Sequence, residues 1–192
     1  MQHTKQITTL LRMVFVSLLL VPAIVMTACS GAKKAKTPDI SFEEIPEFTF
    51  AFSYSPENPD APGGTVTYIC KNGDVLKFSD NEIDDLSLDE RMKKHANGGY
   101  GDYVVKTVSQ EEVVEHYKTL ISVIDKKGFN LLDYPEAVPS VEAPSFSWIG
   151  FYFDQGELRF AELHKNMCMT DISSKDDTVN GLYEWMETIK AS

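Results

Sequence analysis

The first 28 residues of the chain have a pattern that keeps them out of a folded core. Met1–Arg12 carries two basic residues and no acid, and Met13–Met26 is apolar apart from Ser17 and Pro22. A membrane-spanning helix needs about 20 apolar residues, so this run is too short to be one. A basic start, a short apolar middle and a small-residue end predict an export signal. Any fold has to be built from the rest of the chain.

The end of this segment, Met26-Thr27-Ala28-Cys29, resembles the lipobox of bacterial lipoprotein precursors. It departs from the family pattern at Met26, where leucine is commonest. The resemblance implies that Cys29 receives a diacylglycerol and that residues 1–28 are removed as the signal peptide. Ser30 resembles the residue that sends Gram-negative lipoproteins to the outer membrane. The implied location is therefore the cell membrane or the outer membrane, facing outside the cytoplasm.

Two other interpretations of the N-terminus stay open. Ser30-Gly31-Ala32 places small residues where an ordinary signal peptidase needs them, and cleavage after Ala32 would release a soluble secreted protein. An unprocessed cytoplasmic chain is the other alternative. Such a chain would have to bury the apolar run in its core, and this would not explain why the run follows a stretch that is basic and free of acidic residues.

Charge separates the next stretch from the body. We predict a flexible tether over residues 29–46, which carries Lys33, Lys34 and Lys36, and a single domain over residues 47–192. Past Lys36 the chain has 13 basic and 29 acidic residues, a net charge of −16. An acidic body repels nucleic acid, so DNA and RNA binding are excluded. We expect contact with the membrane through the N-terminal lipid, and a protein or peptide partner with a basic surface.

Two further cysteines, Cys70 and Cys168, lie far apart in the sequence. Outside the cytoplasm they are free to form a disulfide, although nothing in the local sequence requires one. The alternative is two buried free thiols that behave as small apolar residues. Neither cysteine has the C-x-x-C or protease context of a nucleophile.

The body begins with strand patterns. Phe48, Phe50, Phe52 and Tyr54 alternate with small residues, which predicts a strand with one aromatic face that enters from the tether, at a sheet edge where a partner strand could add. Residues 65–79 predict a hairpin around Asn72-Gly73.

A two-residue loop in that hairpin would put Ile69, Leu76 and Phe78 on one face. A second hairpin follows over residues 146–163, turning at Asp154-Gln155-Gly156, and its first arm is apolar on both faces, as in a central strand.

Helices are predicted between and after these strands. Ser87 and Ser109 each precede a glutamate by three residues, a capping-box pattern that starts helices over about 88–96 and 110–127. A further helix is predicted over 175–190. We therefore expect an α+β fold, mainly an antiparallel sheet of about five or six strands, with two longer helices and one short helix packed on one face.

Candidate chemistry is sparse in this sequence. Metal ligation by His95, His116 and His164 would require the three side chains to converge. Asp80, Glu82, Asp84 and Asp85 only superficially resemble a calcium loop, because the required glycine and bidentate glutamate are missing. Solvated histidines and an acidic turn are the simpler interpretations, and we predict no cofactor. Tyr100, Tyr103, Tyr134 and Trp148 are aromatic residues in or near loops that could line a recognition patch, although core packing is their commoner fate.

Three functional hypotheses follow. The first is a non-catalytic binding or accessory lipoprotein of the cell envelope, which needs no catalytic residues. The second is a hydrolase of an envelope polymer or peptide, which would need clustered carboxylates, or His164 beside Cys168, in one cleft. The third is an inhibitor or immunity-like protein that blocks a basic partner with its acidic surface.

Overall fold

The part of the chain that the computed structural model describes consists of residues 38–56, 63–79, 86–135, 144–167 and 170–191, all within one compact unit, Thr37–Ser192. Its strands are β1 (Phe48–Ser55), β2 (Thr65–Cys70), β3 (Asp74–Ser79), β4 (Val104–Thr107), β5 (Ser145–Asp154), β6 (Glu157–Met167) and β7 (Thr170–Ile172). Its helices are α1 (Leu88–Ala96), α2 (Gln110–Lys127) and α3 (Asp177–Ala191). Every strand pairing is antiparallel, which confirms the expected α+β class, but this sheet has seven strands rather than five or six.

The strand order is β4-β3-β2-β1-β5-β6-β7, so β1 lies in the middle of the sheet. It pairs with β2 on one side and with β5 on the other, and the prediction that it forms a sheet edge is wrong. β5 is also an interior strand, as its apolar pattern on both faces indicated. The hairpin that joins β5 to β6 turns at Gln155 and Gly156, whose φ angles of 51° and 84° suit a two-residue turn.

The β2–β3 hairpin has a three-residue loop instead of the predicted two-residue loop. Gly73, with φ 95°, donates its N–H to the carbonyl of Cys70 at 2.9 Å, and Ile69 lies opposite Val75. A one-residue change of register moves side chains to the other face. Ile69 and Val75 therefore share one face, while Leu76 and Phe78 point to the opposite face, which corrects the predicted grouping.

The sheet is covered on both faces. On one, the helix side, the buried residues of α2 and α3 join those of the strands in the larger core. On the other, the short-helix side, Met92 of α1 packs with Tyr68, Leu76 and Phe78. The expectation that all helices lie on one face is thus wrong for α1, because the strands carry apolar residues on both faces.

Two local features explain how the chain enters the sheet. A register irregularity between Phe48 and Phe50 turns Phe48 to the short-helix side, so the aromatic residues of β1 do not form one face. Before β1, Ile45 is buried in the larger core, with Ile40 and Phe42 packed against it. The packed body therefore begins several residues before the predicted boundary at residue 47.

The capping serines begin α1 and α2 at the predicted residues. Ser87 and Glu90 form the complete capping box of α1. At α2, Ser109 accepts the N–H of Glu112 at 3.4 Å, but the Glu112 carboxylate accepts the indole N–H of Trp185 at 2.6 Å. The second capping box is therefore half formed, because its glutamate ties α2 to α3 instead.

Candidate functional site

A surface cleft of about 950 Å³ lies between β6 and the segment that follows α2. We call it the aromatic cleft. Three of its rings are unusually exposed: Phe129 is 62%, Tyr134 50% and Phe160 59% accessible. Large apolar side chains exposed together on a soluble domain are typical of interaction sites.

The segment after α2 is held in place by one apolar side chain and by the hydrogen bonds of Asp133. Gly128, with φ 77°, ends α2, and Leu131 inserts into the larger core. Asp133 donates its N–H to the carbonyl of Ser173 at 3.1 Å, and its carboxylate accepts the N–H of Lys175 at 2.8 Å. These bonds to Lys175 lower the pKa of Asp133. The wall of the cleft is therefore a fixed part of the fold.

Tyr134 joins this wall to β6. Its hydroxyl donates a hydrogen bond to the carboxylate of Glu162. Partial burial and this bond raise the pKa of Tyr134 to about 12. The phenol is therefore protonated at neutral pH, and it keeps its donor role toward Glu162, which also pairs with Lys165 at 3.0 Å.

One side of the cleft is an open strand edge. β6 pairs with β5 along its length, but β7 covers it only at Lys165, Asn166 and Met167. Within the described ranges, the outer edge of β6 over residues 157–164 has no strand partner. Such an edge presents unpaired backbone N–H and C=O groups to which an extended chain can add.

The charges around the cleft are mostly paired. Arg159 forms an ion pair with its neighbour Glu157. Asp154 also lines the cleft and is exposed, and its carboxylate has no ion-pair or hydrogen-bond partner in the described part of the chain. The cleft thus offers an unpaired negative charge beside its rings.

The aromatic residues singled out from the sequence separate into two groups. Tyr100 and Trp148 are buried, Tyr103 stacks on Phe78, and only Tyr134 lines the cleft. Sequence reasoning missed Phe129 and Phe160. Phe129 directly follows the glycine that ends α2, where a ring that faces solvent is unexpected. This position was the one signal in the sequence that could have identified Phe129 as a site residue.

The three histidines lie in separate places and form no common site. His116 stacks on Trp185 at 4.0 Å between ring centroids. His164 stacks on Tyr183 at 3.8 Å, and its Nε2 lies 2.8 Å from Asp171. No group of three or more potential ligands in the described residues could hold a metal ion.

His95 is the buried centre of a cluster of half-buried ionisable side chains. Its Nδ1 lies 2.8 Å from Glu47 and its Nε2 3.5 Å from Asp74, while Lys71 approaches Glu47 at 3.5 Å. The adjacent Cys70 is a buried free thiol, and burial, reinforced by these two carboxylates, raises its pKa far above the usual range. A thiol that does not ionise is a poor nucleophile. The contacts of His95 join α1 to Glu47, which precedes β1, and to Asp74, which begins β3, and we call this cluster the His95 clamp.

Several predicted residues lie outside the described residues. These are Cys29, Cys168 and the acidic candidates Asp80, Glu82, Asp84 and Asp85. In the part that is described, no helix is long and apolar enough to cross a membrane.

Comparison with known proteins adds no relative to this picture. No protein-family model, no curated protein and no solved structure matches the chain.

Proposed function

We propose that the chain is a lipid-anchored, non-catalytic binding protein of the cell envelope whose body holds a partner in the aromatic cleft. The observation that carries this proposal is the cleft itself, where exposed Phe129, Tyr134 and Phe160 stand beside the open edge of β6. The lipobox resemblance at Cys29 supplies the anchor and the location.

The edge and the rings favour an extended peptide segment of a protein partner. An added strand gains backbone hydrogen bonds from β6, and its alternate side chains reach the rings. The unpaired carboxylate of Asp154 and the net charge of −16 past Lys36 favour basic residues in that segment. This is the basic protein or peptide partner that the composition predicts.

The anchor is tested by intact-mass analysis of membrane-extracted protein beside a Cys29→Ser variant. We expect a mass equal to Cys29–Ser192 plus a diacylglycerol, and its loss in the variant. An unmodified chain that begins near Lys33, or an uncut chain, would contradict the anchor and the proposed location.

The cleft is tested by selecting random twelve-residue peptides on the purified protein. We expect enriched sequences that alternate apolar and basic residues, and whose binding is lost in Phe160→Ser. The matched control is Phe153→Ser, because Phe153 is 44% exposed on the same hairpin but does not line the cleft. No enrichment, or equal loss in both variants, would sink the proposal.

A further inference from the structure

A second groove, of about 470 Å³, opens on the helix side of the sheet. Residues of β1 to β5 and the last turn of α3 line it, and it shares no residue with the aromatic cleft. Its volume falls within the range of about 300–1,000 Å³ typical of small-molecule sites. We call it the lysine groove, after Lys77, Lys106 and Lys190 in its lining.

The charge of this groove is opposite to that of the body. Among the described residues, its lining includes three lysines and no acidic side chain, in a chain whose net charge past Lys36 is −16. Lys77 has no ion pair within the residues described. Lys190 lies 3.3 Å from Glu187 and 4.7 Å from the ring centroid of Trp148, so its ammonium group is held at the groove.

A threonine hydroxyl also lines the groove. Thr67 is only 3% exposed as a whole residue, and its side chain makes no hydrogen bond to any described residue. Its hydroxyl oxygen is not one of the described polar atoms that are fully shielded from solvent without a partner, so it is accessible from the groove. A hydroxyl can donate one hydrogen bond, and an oxygen atom of a ligand in the groove can accept it.

Beneath these polar groups the floor is apolar. Val75, Trp148 and Ile189 are buried there, and the half-buried rings of Phe52 and Phe146 form a wall. Lysine and hydroxyl groups above an apolar floor match a ligand with an acidic head and an apolar body. The acidic head can pair with the lysines and accept hydrogen bonds, and the apolar body can pack on the apolar floor.

We propose that the lysine groove binds an amphipathic anion, a carboxylate or phosphate group attached to an apolar chain. Lys77 and Lys190 face the acidic group, Thr67 donates its hydroxyl to one of its oxygens, and the apolar chain lies on Val75 and Ile189. The site is independent of the aromatic cleft and of the N-terminal anchor.

Ligand-observed NMR with octanoate and octyl phosphate, with octanol as the neutral match, tests this inference on the purified protein. We expect both anions to bind, and octanol to bind at least about tenfold more weakly, because charge-assisted hydrogen bonds are lost. Lys77→Gln should weaken octanoate binding about threefold to tenfold, whereas Lys126→Gln, which removes an exposed charge on α2 outside the groove, should not. Equal binding of octanol and octanoate, or equal effects of the two substitutions, would overturn the proposal.

Two further measurements complete the test. Thr67→Val removes the hydroxyl and should also weaken octanoate binding, with circular dichroism confirming an unchanged fold; unchanged binding would remove Thr67 from the site. Cosedimentation of Cys29→Ser protein, with and without Lys77→Gln, on phosphatidylglycerol or phosphatidylcholine vesicles identifies the source. Lys77-dependent binding to anionic vesicles assigns the groove to a lipid headgroup, and binding of free octanoate alone assigns it to a soluble amphiphile.

Discussion

The two sides of the sheet are closed by different means. On the helix side, α2 and α3 cover a large apolar core in which Leu120, Leu163 and Met186 are fully buried. On the short-helix side, α1 buries little apolar surface, and stacked rings together with the His95 clamp complete the layer. The difference shows that one sheet can be covered by two long helices on one face, and by stacked rings with a polar clamp on the other.

The largest effect is expected on the helix side, at Leu120. A Cβ atom added at Gly150 would lie 2.5 Å from Leu120 Cδ2, so the two residues fill one space. Leu120→Ala should lower the free energy of unfolding by about 2–5 kcal/mol because it leaves a cavity. Gly150→Ala alone should cost up to about 1–3 kcal/mol through overpacking.

Urea unfolding of the single and double variants measures how these two residues are coupled. We expect the double variant to lose less stability than the two single variants together, by about 1 kcal/mol or more, because the alanine methyl enters the cavity. If the losses of unfolding free energy in the two single variants simply add up in the double variant, Leu120 and Gly150 do not share one tightly packed space. Close packing at this point would then not distinguish the helix side from the short-helix side.

The next effect is expected on the short-helix side, at His95. His95→Ala removes the partner that the half-buried carboxylates of Glu47 and Asp74 share, and leaves Glu47 with Lys71 and Asp74 with the amide of Asn72. We expect a loss of about 1.5–3 kcal/mol, measured by the same urea unfolding. Lys118→Ala, which breaks the more exposed pair with Glu115, is the control and should cost about 0.5 kcal/mol or less. Equal costs would mean that the clamp contributes nothing specific to this face.

The smallest effect concerns Asp176, which caps α3 and joins it to α2. Its carboxylate pairs with Lys127 at 2.8 Å and accepts the N–H of Thr178 at 2.8 Å. The bond from Lys127, followed by that from Thr178, lowers the pKa of Asp176 to about 2. Because this is below the unfolded value of about 3.9, the stabilisation is complete above that pH and is lost as pH falls through about 2.

Asp176→Asn keeps an acceptor at the cap and removes the ionisation. We expect a loss of about 1 kcal/mol or less at pH 7, and a flatter dependence of stability on pH between about 4 and 2. The measurement is thermal unfolding across this range for both proteins. If the stability of the variant falls with pH in parallel with that of the parent protein, Asp176 does not contribute to the loss of stability in acid.

Local sequence was sufficient wherever a local contact decides the structure. Ser87 and Ser109 fixed the starts of two helices because their hydroxyls bond within their own first turn. Local sequence was insufficient where a shift of one residue in strand pairing decides which face of the sheet a side chain occupies. Gly73 lengthens its loop and an irregularity displaces Phe48, and both events depend on the fit to neighbouring strands.

The candidate site was less predictable for a related reason. The aromatic cleft brings Phe129 beside Phe160, from a segment whose position depends on hydrogen bonds to Ser173 and Lys175. The open edge of β6 exists because β7 is only three residues long. Neither relationship is visible in the local pattern of residues, so only Tyr134 was identified in advance.

The central position of β1 has a consequence for the order in which the chain folds. β1 is the first of the described strands to be synthesised, but its second neighbour, β5, is joined to it through pairs such as Phe50 with Gly150. Contacts of such long sequence separation slow folding, because a large loop must close first. The middle of the sheet is therefore completed only after most of the chain is available. A chain with this topology stays unfolded for longer, and an export route that accepts only unfolded chains would have that time to act.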